Sequence, residues 1–519
     1  MDSQILKFCM ERGILLDQDA YKLLENLGDE KAIKQIIDQI SIISKEKIIS
    51  KNFFAKNVDQ IQNIIIDEKT VEKIKINLGI SIEISKEKVS QKIQDTPRDE
   101  SEEQVFKNIK IIASPINPVK KLSVEDFTKY FRSRYSEMKN IMLNRSELDN
   151  LVSINKISGD RQGISIIGIV HSKRVTKNKN ILLTVEDLTG RISVLVNNNK
   201  PVYDKAKNIL LDDIIGIKCT GNKDILFANE IIYPDIILAE KTCLEKDECA
   251  AFISDIHIGS TNFLEDNFVK FIDWLNGEVG DENQREEAKK VKYLFLTGDN
   301  VDGVGVFPGQ EELLSIKDIK EQYQQLAYFL GKLRKDITIM IIPGQHDAVR
   351  VAEPQPMIDK KYAEVLYSLD NIILLSNPAM IEITNNGKRG VRVLMYHGAS
   401  MTNFITEIDY LRLNKGHDTP AKVVKEMLKR RHLAPIHSSV TYIPNENKDP
   451  LLISEVPDVI TTGDLHRPDV DTYNNILIVC SSCWQSMTPF EEKVGNNPDP
   501  CKVPVLNLKT KAIKILDFS

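Results

Sequence analysis

The sequence predicts a multidomain protein in which an α/β carboxyl-terminal half follows a small β-barrel and an amino-terminal helical bundle. Three patterns predict this fold class. Apolar residues recur at helical spacing up to about residue 75, short strand-like segments fill 163–237, and strands alternate with helices from Cys249 onward. A chain of 519 residues has room for several such domains, at roughly 150 residues each.

Composition narrows the class of protein. The chain is 42% hydrophobic with a net charge of −6, which is typical of a globular protein and argues against one that coats nucleic acid through bulk charge. No apolar run reaches the roughly 18 residues of a membrane span, and the first residues do not resemble a signal peptide. We therefore expect a cytoplasmic, nucleoid-associated protein without a membrane partner. Its seven scattered cysteines favour reduced thiols.

The amino-terminal third divides into a bundle and a linker. Helical apolar spacing predicts a bundle over residues 1–80, whereas 81–123 are charged and poor in large apolar residues, which predicts a flexible linker. Residues 124–150 then read as a helix with an aromatic face, lying against the next domain. Together with the barrel, this helix makes a predicted unit of 124–245.

The barrel is predicted from five short strands and a helical stretch at Pro201–Asn208. This order resembles an OB-fold, whose strand face and loops often bind single-stranded nucleic acid. Lys173, Arg174 and Lys177 are candidates for phosphate contacts there, although such barrels also serve as protein-binding modules. Arg430 and Arg431, near a predicted helix end, could meet DNA phosphates, an acidic partner or only solvent.

Polar side chains follow five successive strands of the α/β half (246–519). They are Asp255 and His257 in SDIHIG, Asp299 and Asn300 in TGDNVDG, Gln345, His346 and Asp347 in PGQHD, His397 in YHG, and Asp464 and His466 in GDLH. One such residue is more often a helix cap or a polar turn, but five in succession are hard to explain in that way. Mixed carboxylate, imidazole and amide ligands suit a pair of divalent ions in a phosphoester-cleaving site.

These motifs, D-x-H, G-D-x-x-D, G-x-H-D, H-G and G-x-x-H, resemble those of the calcineurin-like metallophosphoesterase superfamily, which includes Mre11-type nucleases. The segments VDGVGVFPGQEEL, HDAVRVAEPQP, RRHLAPIH and WQSMTPF, with the barrel upstream, narrow the resemblance to the small, exonuclease subunits of archaeal family D DNA polymerases. The resemblance covers residues 150–519 closely and the rest by layout alone. It implies a two-sheet sandwich flanked by helices.

The resemblance also implies roles for residues. It places Asp255, His257 and His466 on a first ion, Asp299 between two ions, and Gln345, His397 and Asp464 on the second. His346 would act on the phosphoryl transition state or the leaving oxygen, and Asp302 and Asp347 would orient histidines. The implied activity is 3′ to 5′ exonucleolytic proofreading with two divalent ions, Mn²⁺ or Mg²⁺. The implied partners are a large polymerase subunit and a DNA 3′ end, with a sliding clamp or primase as further candidates.

Two positions depart from the family pattern, and both fall on the second ion. The family usually has asparagine where this chain has Gln345, and histidine where it has Asp464. Glutamine is longer by one methylene and aspartate reaches less far than imidazole, so the second ion would shift toward Asp464, whose charge favours Mg²⁺ or Mn²⁺ over zinc. Two alternatives stay open: a scaffold subunit with a decayed second site, and a free-standing phosphatase, which the appended domains oppose.

Overall fold

The computed structural model describes residues 108–115, 121–157, 159, 161–445 and 448–519, with positions 8, 9, 12, 14–16, 33, 37, 48 and 49. The chain divides into two compact units, Met1–Arg98 and Asp99–Ser519. In the first unit, strand β1 (Leu15–Leu16) pairs in parallel with β2 (Ile48–Ile49). The predicted bundle and most of the predicted linker lie outside the described residues. Among the described helices, none is long and apolar enough to cross a membrane.

The second unit contains the remaining elements. Its strands are β3 (Ile109–Ala113), β4 (Arg161–Val175), β5 (Ile181–Asp187), β6 (Gly190–Val196), β7 (Ile214–Gly221), β8 (Leu226–Ile232), β9 (Cys249–Ile253), β10 (Val291–Thr297), β11 (Thr338–Ile342), β12 (Ile372–Leu374), β13 (Ala379–Asn385), β14 (Lys388–Met395), β15 (Val459–Thr462), β16 (Asp469–Tyr473), β17 (Ile476–Cys480), β18 (Lys502–Asn507) and β19 (Ile513–Asp517). Its helices are α1 (Val124–Leu143), α2 (Val202–Lys207), α3 (Glu265–Asn276), α4 (Glu282–Lys290), α5 (Ile319–Gly331), α6 (Lys360–Tyr367), α7 (Met401–Glu407), α8 (Asp409–Leu413), α9 (Pro420–Arg430) and α10 (Pro489–Val494).

Strand β3 corrects the linker prediction. It lies inside 81–123 and pairs antiparallel with β13, with Ile111 opposite Ile381. The residues before this strand are charged, and that composition indicated a linker. The strand itself, IKIIA, is mostly apolar and rich in β-branched residues, which strands favour. The predicted linker therefore includes an edge strand of the carboxyl-terminal domain.

The barrel prediction is confirmed. Strands β4, β5, β6, β8 and β7 form a closed barrel in that order, with α2 between β6 and β7 in chain order. Ile166, Val170 and Val194 point into a fully buried interior, because alternate residues of each strand face one side of a sheet. This is the strand set of an OB-fold.

The α/β half is a sandwich of two six-stranded sheets, as expected. One sheet has the order β12-β11-β10-β9-β18-β19 and the other β16-β17-β15-β14-β13-β3. Their facing sides share one apolar core, in which Phe252 and Phe295 stack with ring centroids 4.9 Å apart. On the outer faces, α3 and α5 cover the first sheet and α7 and α9 cover the second.

Parallel pairing brings the polar strand ends together. Strands β9, β10 and β11 run in parallel in the first sheet, and β14, β15 and β17 do so in the second. Their carboxyl ends therefore emerge at one edge of the sandwich, where ligands bind in open α/β sheets.

Helix α1 joins the barrel to the sandwich. Tyr135 donates a hydrogen bond to the carbonyl of Ile167 in the barrel (3.0 Å), while the Arg134 guanidinium pairs with buried Asp449 of the sandwich (2.5 Å). His432 Nε2 shares that carboxylate at 2.9 Å. The predicted aromatic helix thus packs on the next domain, and it ends at Leu143 rather than near residue 150.

Candidate metal centre

The candidate site lies where the predicted strand ends meet. Asp255 follows β9, Asp299 follows β10 and His397 follows β14, while Asp464 and His466 follow β15. Four of these residues, together with His257, have backbone φ between 49° and 69°. That left-handed region is costly for residues other than glycine, though aspartate and histidine tolerate it best. Such strain concentrated at one edge is typical of a functional site.

Two glycines of the motifs are required by close approach to the site. A Cβ atom on Gly344 would lie 2.2 Å from Asp299 Oδ1 and 2.8 Å from His397 Nε2. A Cβ on Gly463 would lie 2.6 Å from Asp255 Oδ2. Any larger residue would therefore displace the polar groups, which explains the glycine before the Gln345-His346 and Asp464-Leu465-His466 segments.

The first cluster consists of Asp255, His257 and His466. Their candidate ligand atoms lie within 4.8 Å of one another, with His466 Nε2 at 3.4 Å from both Asp255 Oδ1 and His257 Nε2. Asp255 is fully buried and also accepts hydrogen bonds from Ser254 and from the backbone N–H of Asp464. These are the three residues predicted for the first ion.

The second cluster consists of Asp255, Asp299 and His397, again within 4.8 Å. His397 Nε2 lies 3.3 Å from Asp299 Oδ2 and 3.8 Å from Asp464 Oδ1. Asp464 thus faces the same imidazole as Asp299, as its predicted place on the second ion requires. Gln345 is half-buried beside Gly344, and its ligand role stays a prediction.

All three cluster histidines have one ring nitrogen engaged away from the centre. The Nδ1 atoms of His257, His397 and His466 lie 3.0 Å from Asp302 Oδ1, 2.8 Å from the Thr297 carbonyl and 2.7 Å from Glu491 Oε1, respectively. Oxygen acceptors at Nδ1 place the ring proton there and leave Nε2 with its lone pair toward the centre. This is the tautomer that a metal ligand needs.

The electrostatics of the centre are those of a cation site. Burial acts to raise the pKa of Asp299, but His397 and His346 hold it well below its usual range. Burial raises the pKa of Asp464 to about 6, His397 opposes this rise, and Asp255 and Asp299 add to it. His397 Nε2 is buried and has no hydrogen-bond partner among the described residues. Carboxylates that converge on a buried imidazole nitrogen without a hydrogen bond fit a divalent ion.

Asp302 orients two histidines. Its Oδ1 contacts His257 Nδ1, while its backbone carbonyl accepts a hydrogen bond from His346 Nδ1 (2.8 Å). The backbone N–H of His346 in turn donates to Asp299 Oδ1 (2.8 Å), and the His346 ring meets that of His257 edge to face at 4.8 Å. His346 is therefore held beside the clusters with Nε2 directed away from Asp302.

Asp347 has a different role from the predicted one. Its carboxylate accepts hydrogen bonds from Asn300, from the backbone N–H of Gly344 (2.9 Å) and from the Tyr323 hydroxyl (2.9 Å). The prediction that it orients a histidine is wrong, because these donors occupy the carboxylate. Asp347 instead ties the loop after β11 to the loop after β10.

Two positioning residues were missed from the sequence. Glu491 forms a capping box with Thr488 at the start of α10, and its other carboxylate oxygen, Oε1, accepts a hydrogen bond from His466 Nδ1–H (2.7 Å). Gln310 donates to both Asp302 Oδ2 (2.9 Å) and the Asp302 carbonyl (2.8 Å). The T-x-x-E motif that begins at Thr488 predicts the start of a helix. Nothing in the neighbouring sequence indicates that its glutamate contacts His466.

Comparisons with known proteins agree with this layout. Residues 250–471 match the family model of the DNA polymerase alpha/epsilon B-subunit, and residues 164–237 match the model described as OB-fold nucleic acid binding domain. The DNA polymerase II small subunit of Methanothermobacter thermautotrophicus is 41% identical over 397 residues, covering 76% of this chain and 80% of that relative. The chain belongs to the family of DNA polymerase II small subunits. The resemblance to archaeal family D small subunits is thereby confirmed.

Further members of the family are similar over the same share of the chain. The DNA polymerase II small subunits of Pyrococcus furiosus and Archaeoglobus fulgidus are 40% and 36% identical over 76% of this chain. The match spans 64% of the Pyrococcus relative and 77% of the Archaeoglobus relative. A solved structure of an archaeal phosphodiesterase aligns at 14% identity over 52% of this chain and 98% of its own, but its TM-score of 0.26 carries no argument.

The predicted DNA contacts of this family member need correction at α9. Arg430 and Arg431 are buried. Arg430 bonds to Asp213 of the barrel (3.0 Å) and to Glu426, and Arg431 donates to the carbonyl of Ile453 (2.9 Å). The prediction that they meet phosphates is wrong, because both guanidinium groups are occupied inside the protein. Arg430 joins the sandwich to the barrel through Asp213, and Arg431 is held by backbone carbonyls of Ile453 and Ser454 within the sandwich.

The three basic barrel residues predicted to contact phosphates differ in their exposure. Lys173 is partly buried and donates to the carbonyls of Lys207 and Ile209 (2.6 and 2.8 Å), which gives it a structural role. Burial lowers the pKa of Lys173. Arg174 and Lys177 are exposed, so they remain the candidates for phosphate contacts on the barrel.

Proposed function

We propose that this small subunit is a metal-dependent 3′ to 5′ exonuclease that proofreads for a large polymerase subunit. The observation that carries the proposal is the convergence of three imidazole Nε2 atoms with Asp255, Asp299 and Asp464 at one sheet edge. Family membership supports the polymerase partner, and the match of the barrel to a nucleic-acid-binding model supports DNA as the substrate. A replication role also fits the expected cytoplasmic location.

Two divalent ions fit the donor set, with Mn²⁺ expected and Mg²⁺ as an alternative. Asp255, His257 and His466 would hold one, and His397, Asp464 and Gln345 the other, with Asp299 between them. When bound, such ions polarise a phosphodiester and lower the pKa of water to supply a nucleophile. Asp302, Thr297 and Glu491 accept hydrogen bonds at Nδ1 of His257, His397 and His466, so these three imidazoles turn Nε2 toward the centre.

His346 is the proposed acid. Its Nδ1–H donates to the Asp302 carbonyl, which fixes the ring and leaves Nε2 for the substrate. From its place beside both clusters, an Nε2–H can donate to a phosphoryl oxygen or protonate the leaving 3′ oxygen.

The test is digestion of 5′-labelled single-stranded DNA with Mn²⁺, by the full chain with its large subunit. We expect stepwise shortening from the 3′ end by the wild type, and loss of at least about a hundredfold in Asp299→Ala and in His346→Ala, since each removes electrostatic stabilisation of the transition state. Both variants should still bind the large subunit. A wild type that leaves the DNA intact would refute the exonuclease.

A second candidate function is a non-catalytic assembly subunit. The observation that favours it is the departure of Gln345 and Asp464 from the family pattern, which falls on the second ion alone. It predicts that the wild type supports DNA synthesis by the large subunit and releases no nucleotide. The same digestion experiment therefore separates the two candidates.

A further inference from the structure

An apolar loop lies beside the metal centre and has no part in the mechanism above. Residues 303–309, here called the rim loop, follow directly on Asp302. A Cβ on Gly303 would lie 2.2 Å from the His346 carbonyl oxygen, so the loop backbone rests against the His346 backbone. The Phe307 ring meets the His346 ring at a centroid distance of 6.4 Å and an angle of 66°. The rim loop therefore borders the proposed acid.

The tip of the rim loop exposes three apolar side chains together. Val304 is 48% exposed, Val306 40% and Phe307 41%. Clustered exposed apolar side chains rimmed by polar residues usually mark a binding surface. Their position next to His346 points to a ligand that also occupies the metal centre.

The loop is built to hold these side chains in place. The side-chain amide of buried Gln322 accepts a hydrogen bond from the backbone N–H of Gly303 (2.9 Å) and donates one to the Gly303 carbonyl (3.0 Å). Buried Gln310 accepts a hydrogen bond from the backbone N–H of Val306 (2.9 Å) and donates one to the Asp302 carbonyl. Gly303, Gly305 and Gly309 adopt positive φ of 73° to 83°. The two buried side-chain amides therefore hold the rim loop in a fixed position relative to His346. Its exposed apolar side chains are kept in place by this backbone.

We propose that the rim loop receives the terminal nucleobase of a DNA 3′ end, with Phe307 stacked on the base. This inference rests on the proposed exonuclease and names how its site selects substrate. Every base has an apolar π face, so stacking on an aromatic ring tolerates any sequence. A base reaches Phe307 only when it has left its own stack, which is least costly for a mismatched or single-stranded end. Phe307 thus favours the ends that proofreading must remove.

The test measures binding rather than cleavage. The full chain, with Ca²⁺ in place of Mn²⁺, is titrated with a single-stranded oligonucleotide that ends in a normal or an abasic 3′ nucleotide. We expect the wild type to prefer the normal end by about tenfold, as loss of one stacked base contact implies. Phe307→Ala should abolish this preference and Phe307→Trp should restore it. Tyr328→Ala, which removes an exposed aromatic of α5, should keep it.

Three outcomes would overturn the inference. These are a wild type without preference, a Phe307→Ala variant that keeps the preference, and a Phe307→Ala variant that loses binding to the large subunit instead of to the DNA end. The last result would make the rim loop a protein contact. If the preference holds but the wild type releases no nucleotide with Mn²⁺, the proposed exonuclease fails while the base-binding loop stands.

Discussion

At the residue scale, the metal centre combines side chains that the sequence predicts with a backbone that it does not. Aspartate and histidine after successive strands identified the centre, because parallel strands end at one edge. The left-handed φ at Asp255, His257 and Asp299 could not be predicted, since only the surrounding fold forces a costly conformation. The Glu491 contact was equally hidden, because 25 residues separate it from His466.

Glu491→Gln should weaken metal binding without touching a ligand. An amide holds the His466 Nδ1 proton less strongly than a carboxylate and makes Nε2 a poorer donor, so we expect a loss of about ten- to a hundredfold in Mn²⁺ affinity. Isothermal titration of the full chain with Mn²⁺ measures it. Glu492→Gln, one residue along α10 and exposed, is the matched control. Equal affinities of both variants and the wild type would contradict this role of Glu491.

Glu353 should make stability depend on pH. Burial raises the pKa of Glu353 to about 8, and its Oε1 has no hydrogen-bond partner in the described part of the chain. A raised carboxyl pKa favours the protonated folded state, so its stabilising contribution is complete below the ordinary glutamate pKa of about 4.3 and declines as pH rises toward 8. In the folded protein, the Glu353 carboxyl should therefore stay protonated and uncharged until the pH approaches its raised pKa.

Glu353→Gln tests this titration. Melting temperatures of variant and wild type should nearly agree at about pH 4, below the ordinary glutamate pKa, and the variant should melt progressively higher up to about pH 9, where the wild-type carboxylate is charged and buried. Glu311→Gln, at an exposed site, should show no such divergence. A gap between Glu353→Gln and wild type that stays constant across this range would contradict the raised pKa.

At the element scale, periodicity predicted the barrel strands, the sandwich strands and α1, because these segments bury regular apolar faces. It failed at β3, whose five residues are too short to stand out beside a charged stretch. It also failed at the end of α9. A run of lysine and arginine is usually solvated, and only the docked barrel, with Asp213 facing Arg430, buries that guanidinium.

Arg430→Met should destabilise the junction between α9 and the barrel. Removing one partner leaves the buried Asp213 carboxylate uncompensated, at a cost of about 3–5 kcal/mol in the free energy of unfolding. Urea unfolding followed by circular dichroism measures the loss. Lys422→Met, on the exposed face of the same helix, is the control and should change little. If Arg430→Met instead keeps its stability and lowers DNA affinity with a shallower salt dependence, the burial of Arg430 is contradicted.

At the scale of the whole molecule, the order of barrel and sandwich was predictable from the change of apolar period along the chain. How they dock was not, because Arg134 with Asp449 and Arg430 with Asp213 join residues more than 200 positions apart. The docking leaves the metal centre at the strand ends of the sandwich. The barrel's exposed basic residues, Arg174 and Lys177, are the remaining candidates to guide DNA toward it.

The central claim is that the strand ends hold two divalent ions despite Gln345 and Asp464. Crystals of the chain soaked in Mn²⁺ and measured at the manganese absorption edge test it most directly. We predict two anomalous peaks about 3.5–4 Å apart, one among Asp255, His257 and His466, the other against His397 and Asp464, with Asp299 reaching both. A single peak would contradict the two-ion site, and the absence of any peak would contradict the metal centre itself.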